Sequence, residues 1–599
     1  MKKLVFAAVA AVTMGVDAAE GLEARVAEEM THVVRELGVD GQPAIWTGPK
    51  ACQFLYPPQF AFTNVSGAVK YRFEATDAKG VKATMDAKRP TAPLTPIWTK
   101  LTENAKVKLV VSGLAADGRA IGVAGTREFW KLERFRPGAY PAAKRSYAEA
   151  AAKLYDYIFE LPSMQYLLKN AKPDPEYNLN GYPAKMHAAT IGAMVRYAKV
   201  RPERAAEAMK LAHIAADYLL SVSVKAGEPL EYFPPTYDHP KPGHGLGGTG
   251  PANQGKNMLI YPASAGGAYL ELHGATGEAK YLEAAKRIAD TYLRIQGEDG
   301  TCPLMVEEKT GKPIGRNRAF PLGICGLMEG VFAATGEAKY LEAADRGLAY
   351  IRRGPMTDWN WEGQFEDVAP SGKYGNLTKH PPCETAILLL RRNGNDPETV
   401  KFAREVLFFT EDQFVCWRTP CDEKGAGPRG IGGWDSNYRT WSCPAALEQW
   451  NCYVPIDASA AKVVNAYLAY WRVTHDELAL AKAKTLADAM VNVQQDSGRI
   501  PTFWCNSYPK DPLSDWVNCL IASAEALANI AEVVAFSSFA ADKPLADLPV
   551  LGILNIRLQG GWAKCEREKG GSPLPGLRVN ERSVASGGEG LSAGFRTCP

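Results

Sequence analysis

The sequence lacks an excess of charge of either sign. Its 599 residues carry a formal net charge of only +3, and no run of lysines and arginines could follow a phosphate backbone. A glycine-rich stretch, GHGLGGTG from Gly243, lacks the preceding strand and following helix that a phosphate-binding loop requires. We therefore expect no nucleic-acid partner and no nucleotide cofactor.

Long apolar runs are also scarce. Beyond the N-terminus no stretch reaches the roughly 18 continuous apolar residues of a membrane-spanning helix. The N-terminus itself has Lys2 and Lys3, then an apolar run from residue 4 to 12, then Ala18 and Ala19. This pattern predicts a signal peptide over residues 1–19, and hence a secreted or periplasmic protein with no membrane partner.

The twelve cysteines include no Cys-x-x-Cys pair, although seven of them lie between Cys383 and Cys519. His380 is the only nearby histidine that could join them as a metal ligand. In an exported protein disulfides account for such cysteines better than zinc does, so we expect no metal and no other cofactor. The connectivity stays open.

The length exceeds that of one simple core. Residues 20–43 have a short amphipathic helical pattern, whereas residues 44–140 alternate apolar and polar residues between Gly, Pro, Asn and Asp, which predicts a small β-sandwich. The stretches FAFTNVSGAVKYRFEA and LTPIWTKLTENAKVKLVVSGLAADG resemble a fibronectin-type-III-like module, which implies a packing or spacer role. Residues 541–599 are rich in Gly, Pro and Ser and predict a partly disordered tail.

Residues 141–540 are dominated by helical periodicity and contain about twelve candidate helices, the first over 146–170. The sequence ATGEAKYLEAA begins at Ala275 and again at Ala334, 59 residues later, and a looser copy begins at Val473. Helical hairpins of this kind must stack on neighbours, either as an open solenoid or as a closed ring. The length favours a mainly α fold, an (α/α)6-type toroid, for this region.

One stretch, TGEAKYLEAAKRIADTYLRIQGEDGTCPLMVEEKTGKP, resembles the helix–loop units of the six-hairpin, (α/α)-toroid carbohydrate-active superfamily. That group includes glycoside hydrolases, polysaccharide lyases and uronyl epimerases. The resemblance implies a carbohydrate substrate, bound in a groove across one mouth of the ring. No single family's catalytic motif is matched.

Glycoside hydrolysis needs one protonated and one ionised carboxyl group. Glu366 and Asp367 lie in a non-periodic segment with aromatic neighbours, and Glu448 is flanked by Leu447 and Trp450. Such surroundings raise carboxyl pKa values, although an ion pair of the first two with Lys373 or Lys379 is an alternative. We expect Glu366 or Asp367 to form an acid/base pair with Glu448.

His380 is a further candidate catalytic residue, although a histidine just before a helix is often only a cap. Aromatic and amide side chains in the loops are expected to bind sugar. These candidates are Tyr182, His239, Asn253, Tyr261, Trp359, Trp361, Asn376, Trp434, Trp441 and Tyr453.

Two alternatives stay open. A polysaccharide lyase or uronyl C5-epimerase would use His380, Tyr182 or Tyr261 for proton transfer and Asn253 or Asn376 to neutralise a uronate. A protein that binds glycans without catalysis is the other. The sugar, the linkage, the stereochemical course and the oligomeric state are not determined by the sequence.

Overall fold

The computed structural model describes most of the chain between residues 20 and 541. The described ranges are 20–35, 45–46, 48, 50–241, 252–366, 370, 372–421, 427, 441–505 and 515–541. The predicted signal peptide, the tail beyond residue 541, Asp367 and Trp434 lie outside them.

Six helices of the described chain form an inner ring. They contact one another in sequence, and the last contacts the first, so the ring is closed. Numbered among the ring helices in chain order, they are α2 (Pro183–Val200), α4 (Pro262–Thr276), α6 (Leu322–Thr335), α8 (His380–Asn393), α10 (Asp457–Thr474) and α12 (Val517–Ala541).

Six further helices surround the inner ring. These outer helices are α1 (Tyr147–Glu160), α3 (Ala205–Val222), α5 (Ala279–Ile295), α7 (Ala338–Arg353), α9 (Pro397–Phe414) and α11 (Glu477–Val493). Each outer helix after α1 packs on the inner helix that precedes it in the chain, whereas α1 packs on α12. The mainly helical, ring-like prediction is therefore confirmed.

The two rings differ in composition because they differ in burial. In α4, every residue from Pro262 to Tyr269 is buried, and small residues allow close packing: a Cβ added at Gly266 would lie 2.7 Å from Cδ1 of Leu327 in α6. In the outer helix α5, the buried residues recur every three or four positions, which is the amphipathic pattern of a helix with one solvated face. The predicted periodicity thus describes the outer ring best.

The connections between helices are sorted by length onto the two faces of the ring. Turns from an inner helix to the next outer helix are short, and Gly277 and Gly336 of the repeated sequence end α4 and α6 with φ of 74°. Glycine suits this left-handed conformation. Segments from an outer helix to the next inner helix are long, for example 296–321, 354–379 and 415–456. The long segments therefore surround the N-termini of the inner helices.

Shorter helices lie between these elements. The predicted helix over 146–170 is broken by Pro162 into α1 and a second helix, because proline cannot continue the first. The short helices are 20–29, Thr95–Trp98, Pro162–Asn170 and Pro355–Asp358, and the 3-10 turns are Asn178–Gly181 and Pro202–Arg204.

The N-terminal strands form a curled sheet. They are β1 (Gln53–Phe54), β2 (Gln59–Ala61), β3 (Lys70–Asp77), β4 (Lys82–Ala87), β5 (Thr91–Pro93), β6 (Ala105–Leu114) and β7 (Ala120–Lys131). Five strands pair in the order β1-β7-β6-β3-β4, and β2 pairs with β5 as a separate ribbon whose Phe60 packs on Phe54 and Phe129 of the sheet. The predicted β-sandwich is supported only in part, since its second layer is this ribbon.

Four very short strands lie in the long segments of the ring. β8 (Lys256–Met258) pairs with β9 (Met305–Glu307), and β10 (Val415–Cys416) pairs with β11 (Ala445–Ala446), both antiparallel. The first pair joins the segments that precede α4 and α6, whereas the second pair lies within the one segment before α10. The first pair therefore holds two of the long segments together.

Buried polar contacts attach the N-terminal part to the ring. Oδ1 of Asp412 in α9 accepts hydrogen bonds from the main-chain N–H groups of Leu55 (2.7 Å) and Tyr56 (2.8 Å). Lys482 in α11 bridges Glu29 (2.7 Å) and Glu411 (2.6 Å). The sheet and the first helix are thus fixed to the outer ring.

None of the ten described cysteines forms a disulfide. The expected disulfides among the exported loops are therefore not present in the described part of the chain. Within that same part, no group of three or more His, Cys, Asp or Glu side chains is arranged to hold a metal ion.

Within the described ranges, one helix is long and apolar enough to cross a membrane by length and composition. It is α12 over Val517–Ala535, and 67% of that window is buried inside the protein. A core helix passes the same test, and this one is part of the inner ring.

Candidate active site

The first turns of the inner helices and the long segments before them converge at one mouth of the ring. Lys185 lies in the first turn of α2, Tyr261 directly precedes α4, and His380 begins α8. Glu366 comes from the segment before α8, and Glu448 from the segment before α10. The mouth therefore brings together residues from several hairpins.

Glu366 is buried and bound on both carboxylate oxygens. Lys185 Nζ contacts one oxygen and the Tyr261 hydroxyl donates to the other, while the Tyr237 hydroxyl donates to the main-chain carbonyl at 2.9 Å. Burial alone would raise the pKa of Glu366, but the Lys185 ammonium and the two hydrogen bonds outweigh it and hold the pKa below its ordinary value. Glu366 is therefore ionised at neutral pH.

Glu448 is equally buried but has weaker donors. The Gln449 side-chain amide donates to its carboxylate over a long distance, 3.4 Å, and the Cys452 thiol also hydrogen-bonds to it. Burial raises its pKa, and the charges of Lys379 and Lys185 offset this only in part. Glu448 therefore keeps its proton to a higher pH than an exposed glutamate.

Lys185 connects the two carboxyl groups. Its charge lowers the pKa of both Glu366 and Glu448, and both carboxyl groups in turn act on the Cys519 thiol in the first turn of α12. Electrostatic effects of this kind fall off with distance, so the two carboxyl groups lie in the same region of the mouth. Two nearby carboxyl groups with oppositely shifted pKa values are suited to act as an acid and a base.

His380 lines a pocket beside this pair. The pocket is narrow, with a cavity volume of about 20 Å³, and Glu384, Gln364 and Phe365 are among its other lining residues. Nδ1 of His380 has no hydrogen-bond partner, and the Phe365 ring meets the imidazole edge-on with centroids 5.9 Å apart. Burial and three nearby lysines hold the pKa of His380 well below its ordinary value, so the imidazole is neutral.

Three lysines of the mouth were not anticipated as site residues. Lys185 rather than Lys373 or Lys379 is the partner of Glu366; Lys373 instead pairs with Asp358 at 3.0 Å. Lys379 lies against the main chain of Glu448, and Lys462 of α10 pairs with Glu384 at 2.7 Å. In the sequence these lysines look like ordinary lysines near the ends of helices. Only Lys185, in the apolar context YPAKMH, could have been recognised as a partly buried lysine.

Asn376 joins the segment before α8 to the segment before α10, and Tyr453 joins the latter segment to α9. The Asn376 side-chain amide donates to Oε1 of Gln449 at 2.6 Å, and its carbonyl accepts from the Asn451 main chain at 2.8 Å. The Tyr453 hydroxyl donates to the main-chain carbonyl of Gln413 at 3.1 Å. Both residues are fully buried, so they place Glu448 rather than offer a surface to a sugar.

The predicted tryptophan platforms are packed in the interior. Trp361 is 0% exposed and Trp359 is 4% exposed, and their rings contact each other, Phe402 and, for Trp359, Phe409. Trp441 is likewise buried. These rings stabilise the core beneath the mouth, and the structure does not place them on a groove.

The remaining candidates are distributed over the neighbouring loops. Tyr182 is buried at the start of α2 against the ring of Tyr237, with centroids 5.9 Å apart, and so lies beside the site. His239 bonds to the Lys241 main chain, and Asn253 accepts from Lys256 at 2.9 Å. No described contact joins these last two to the carboxyl pair. Asp367 and Trp434 lie outside the described residues.

The fold and the mouth together define a closed ring of six helical hairpins with a carboxyl pair at one end. No family model matches the chain, and no curated protein matches it. Among solved structures, it is similar to a family 76 glycoside hydrolase from a bovine Bacteroides thetaiotaomicron strain, with 11% identity over 79% of this chain and 95% of that one, at a TM-score of 0.43.

Two sugar-converting enzymes are similar to the same extent. Cellobiose 2-epimerase from Spirochaeta thermophila has 17% identity over 65% of this chain and 97% of the other, at a TM-score of 0.46. A D-mannose isomerase has 16% identity over 66% and 100%, also at 0.46. Because these identities and TM-scores are low, the helix contacts of this chain are the evidence for the ring, and the residues of the mouth are the evidence for any function.

Proposed function

We propose that this protein is an exported enzyme that hydrolyses glycosidic bonds of a poly- or oligosaccharide. Glu448 acts as the general acid that protonates the leaving oxygen, and Glu366 acts as the base or nucleophile. The observation that carries the proposal is the contrast between two buried carboxyl groups: Lys185 and Tyr261 bind both oxygens of Glu366, whereas the Gln449 amide reaches Glu448 only at 3.4 Å. Export rests on the N-terminal sequence pattern alone.

Each role follows from the environment of the side chain. Glu448 keeps a proton to donate because its buried carboxyl has few donors to stabilise the ionised form. Glu366 is ionised because Lys185 and Tyr261 stabilise its charge, so it can take a proton from water or attack the anomeric carbon. The division of roles resembles that of acid and nucleophile in glycosidases generally.

The test begins with incubation of the purified protein with a panel of neutral and acidic polysaccharides. New reducing ends without ultraviolet absorbance of an unsaturated product would support hydrolysis. Glu448→Gln should then lower kcat by about 100- to 10,000-fold on natural glycosides, the usual contribution of a general acid. On a nitrophenyl glycoside the loss should be much smaller, because that leaving group needs no proton.

Glu366→Gln should lower activity on both kinds of substrate. Glu362→Gln is the matched control, since Glu362 is also buried nearby but accepts hydrogen bonds from the main chain of Gly375 and Asn376. Equal activity of the Glu448 variant and the control would refute the assignment. Binding without any product, across the panel, would favour a non-catalytic glycan-binding protein.

A second candidate function, a polysaccharide lyase or sugar epimerase, is favoured by one observation. The neutral His380 imidazole has an unpartnered Nδ1 in the pocket, and a neutral imidazole can abstract a proton next to a carbonyl or carboxylate. Absorbance of an unsaturated product, or exchange of substrate hydrogen for solvent deuterium, that disappears in His380→Ala would establish it.

A further inference from the structure

Lys379 is a buried lysine at the residue before α8. It is 0% exposed, and its Nζ donates to the main-chain carbonyl of Glu448 at 2.7 Å and to the Ser459 hydroxyl at 2.6 Å. The Thr378 hydroxyl donates to the same Glu448 carbonyl at 2.9 Å. The segment before α8 therefore fixes the position of Glu448 relative to the first turn of α10.

The charge of Lys379 is also coupled to the carboxyl group of Glu448. Burial lowers the pKa of Lys379 to about 7, and the Glu448 charge is the strongest influence that opposes burial. In the other direction, Lys379 is the strongest influence that opposes the burial-induced rise in the pKa of Glu448. Other titratable groups either shift the pKa values of this pair or have their own pKa shifted by it. They are Lys185, Lys462, His380, Cys383, Cys452 and Cys519.

Burial thus favours the neutral form of both partners. Neutral groups cost less than charged ones in a buried site. The amine of Lys379 remains able to take up a proton near neutral pH.

We propose that Lys379 is a positioning residue that orients Glu448 and sets how firmly Glu448 holds its proton. The proposal rests on the proposed function, in which Glu448 is the acid. When Glu448 gives its proton to the glycosidic oxygen, the O–H bond breaks and a carboxylate remains. Lys379 takes up one proton from the solvent, and the resulting ammonium offsets the new negative charge. Loss of the carboxylate on reprotonation reverses this step.

Two substitutions with opposite charge test the proposal. Lys379→Met removes the charge, so the carboxyl group of Glu448 should titrate about 1 unit higher, the usual size for loss of a nearby opposite charge. Lys379→Arg keeps a permanent charge, so Glu448 should titrate lower than in the unaltered protein. The titration is read by infrared difference spectroscopy between each protein and its counterpart that also carries Glu448→Gln. It needs no substrate, so it is independent of whether hydrolysis is found.

Shifts in opposite directions are the expected result, because a purely structural lysine would not produce them. An unchanged Glu448 titration in both variants would overturn the proposal. If either variant does not fold, Ser459→Ala decides: it keeps the lysine but removes one hydrogen-bond acceptor from its ammonium. The Glu448 titration should then move upward by less than about 1 unit, and no movement would overturn the proposal.

Discussion

Replacing Asp412 by asparagine should change how the free energy of unfolding depends on pH. Asp412 is 1% exposed, and burial raises the pKa of its carboxyl to about 7 from an ordinary value of 3.8. The main-chain donors Leu55 and Tyr56 and the Gln413 side-chain amide offset part of this rise. The folded protein therefore binds a proton at Asp412 that the unfolded chain has already released.

The sign of the effect follows from this difference. Because the folded-state pKa is the higher one, the contribution of Asp412 to the unfolding free energy is greatest below about pH 4. It falls as the pH rises to about 7 and is constant above that. Between about pH 5 and pH 7 two units are crossed, and each unit corresponds to 1.36 kcal/mol, so the loss is about 3 kcal/mol. Asparagine does not ionise, so this contribution is absent in Asp412→Asn.

Denaturant unfolding of both proteins at about pH 5 and about pH 8 measures the effect. The stability of Asp412→Asn relative to the unaltered protein should improve by about 3 kcal/mol at the higher pH. Asp396→Asn is a control on the same helix, because the pKa of this exposed carboxyl lies below its ordinary value through its hydrogen bonds with Thr399. A stability difference between Asp412→Asn and the unaltered protein that is the same at both pH values would refute the reasoning.

Three further predictions concern packing and burial. Lys482→Met should lower the unfolding free energy by about 3–5 kcal/mol, measured by denaturant unfolding, because two buried carboxylates lose their common cation. Gly266→Val should lower it by about 1–3 kcal/mol through a clash with Leu327, and a second substitution, Leu327→Ala, should recover part of the loss. Trp361→Phe should leave KM for any substrate unchanged, because this ring is in the core; a rise of about tenfold would show that it contacts sugar.

The ring was predictable because its signal is repeated. The sequence ATGEAKYLEAA encodes a left-handed glycine at the end of an inner helix and the amphipathic start of an outer helix, at Gly277 and again at Gly336. Because the same sequence recurs, each copy forms the same turn and helix start. Stacking of such similar hairpins then limits the folds that the chain can adopt. The sheet was less predictable, because alternation identifies strands but not how many of them form the second layer.

The candidate site was predictable only in part. The sequence marks Glu366, Glu448 and His380 as candidates because each is a polar residue among aromatic and apolar neighbours. Lys185 and Lys462 could not, because they lie in helices far apart in the sequence and acquire a role only when the ring places them at one mouth. The tryptophans misled for the opposite reason: Trp359 and Trp361 are close to the site in sequence, but their large apolar area is buried beneath it.

Closure of the ring by its two ends has a consequence for how the chain is made. The outer helix α1 begins at Tyr147, but its inner partner α12 begins only at Val517, 370 residues later. Until α12 is synthesised, α1 lacks the inner helix on which it mainly packs, and α2 and α10 each lack a neighbour in the inner ring. Meanwhile α12 itself is apolar enough to be taken for a membrane segment. Truncation just before Val517 should therefore abolish folding of the whole ring rather than of one hairpin.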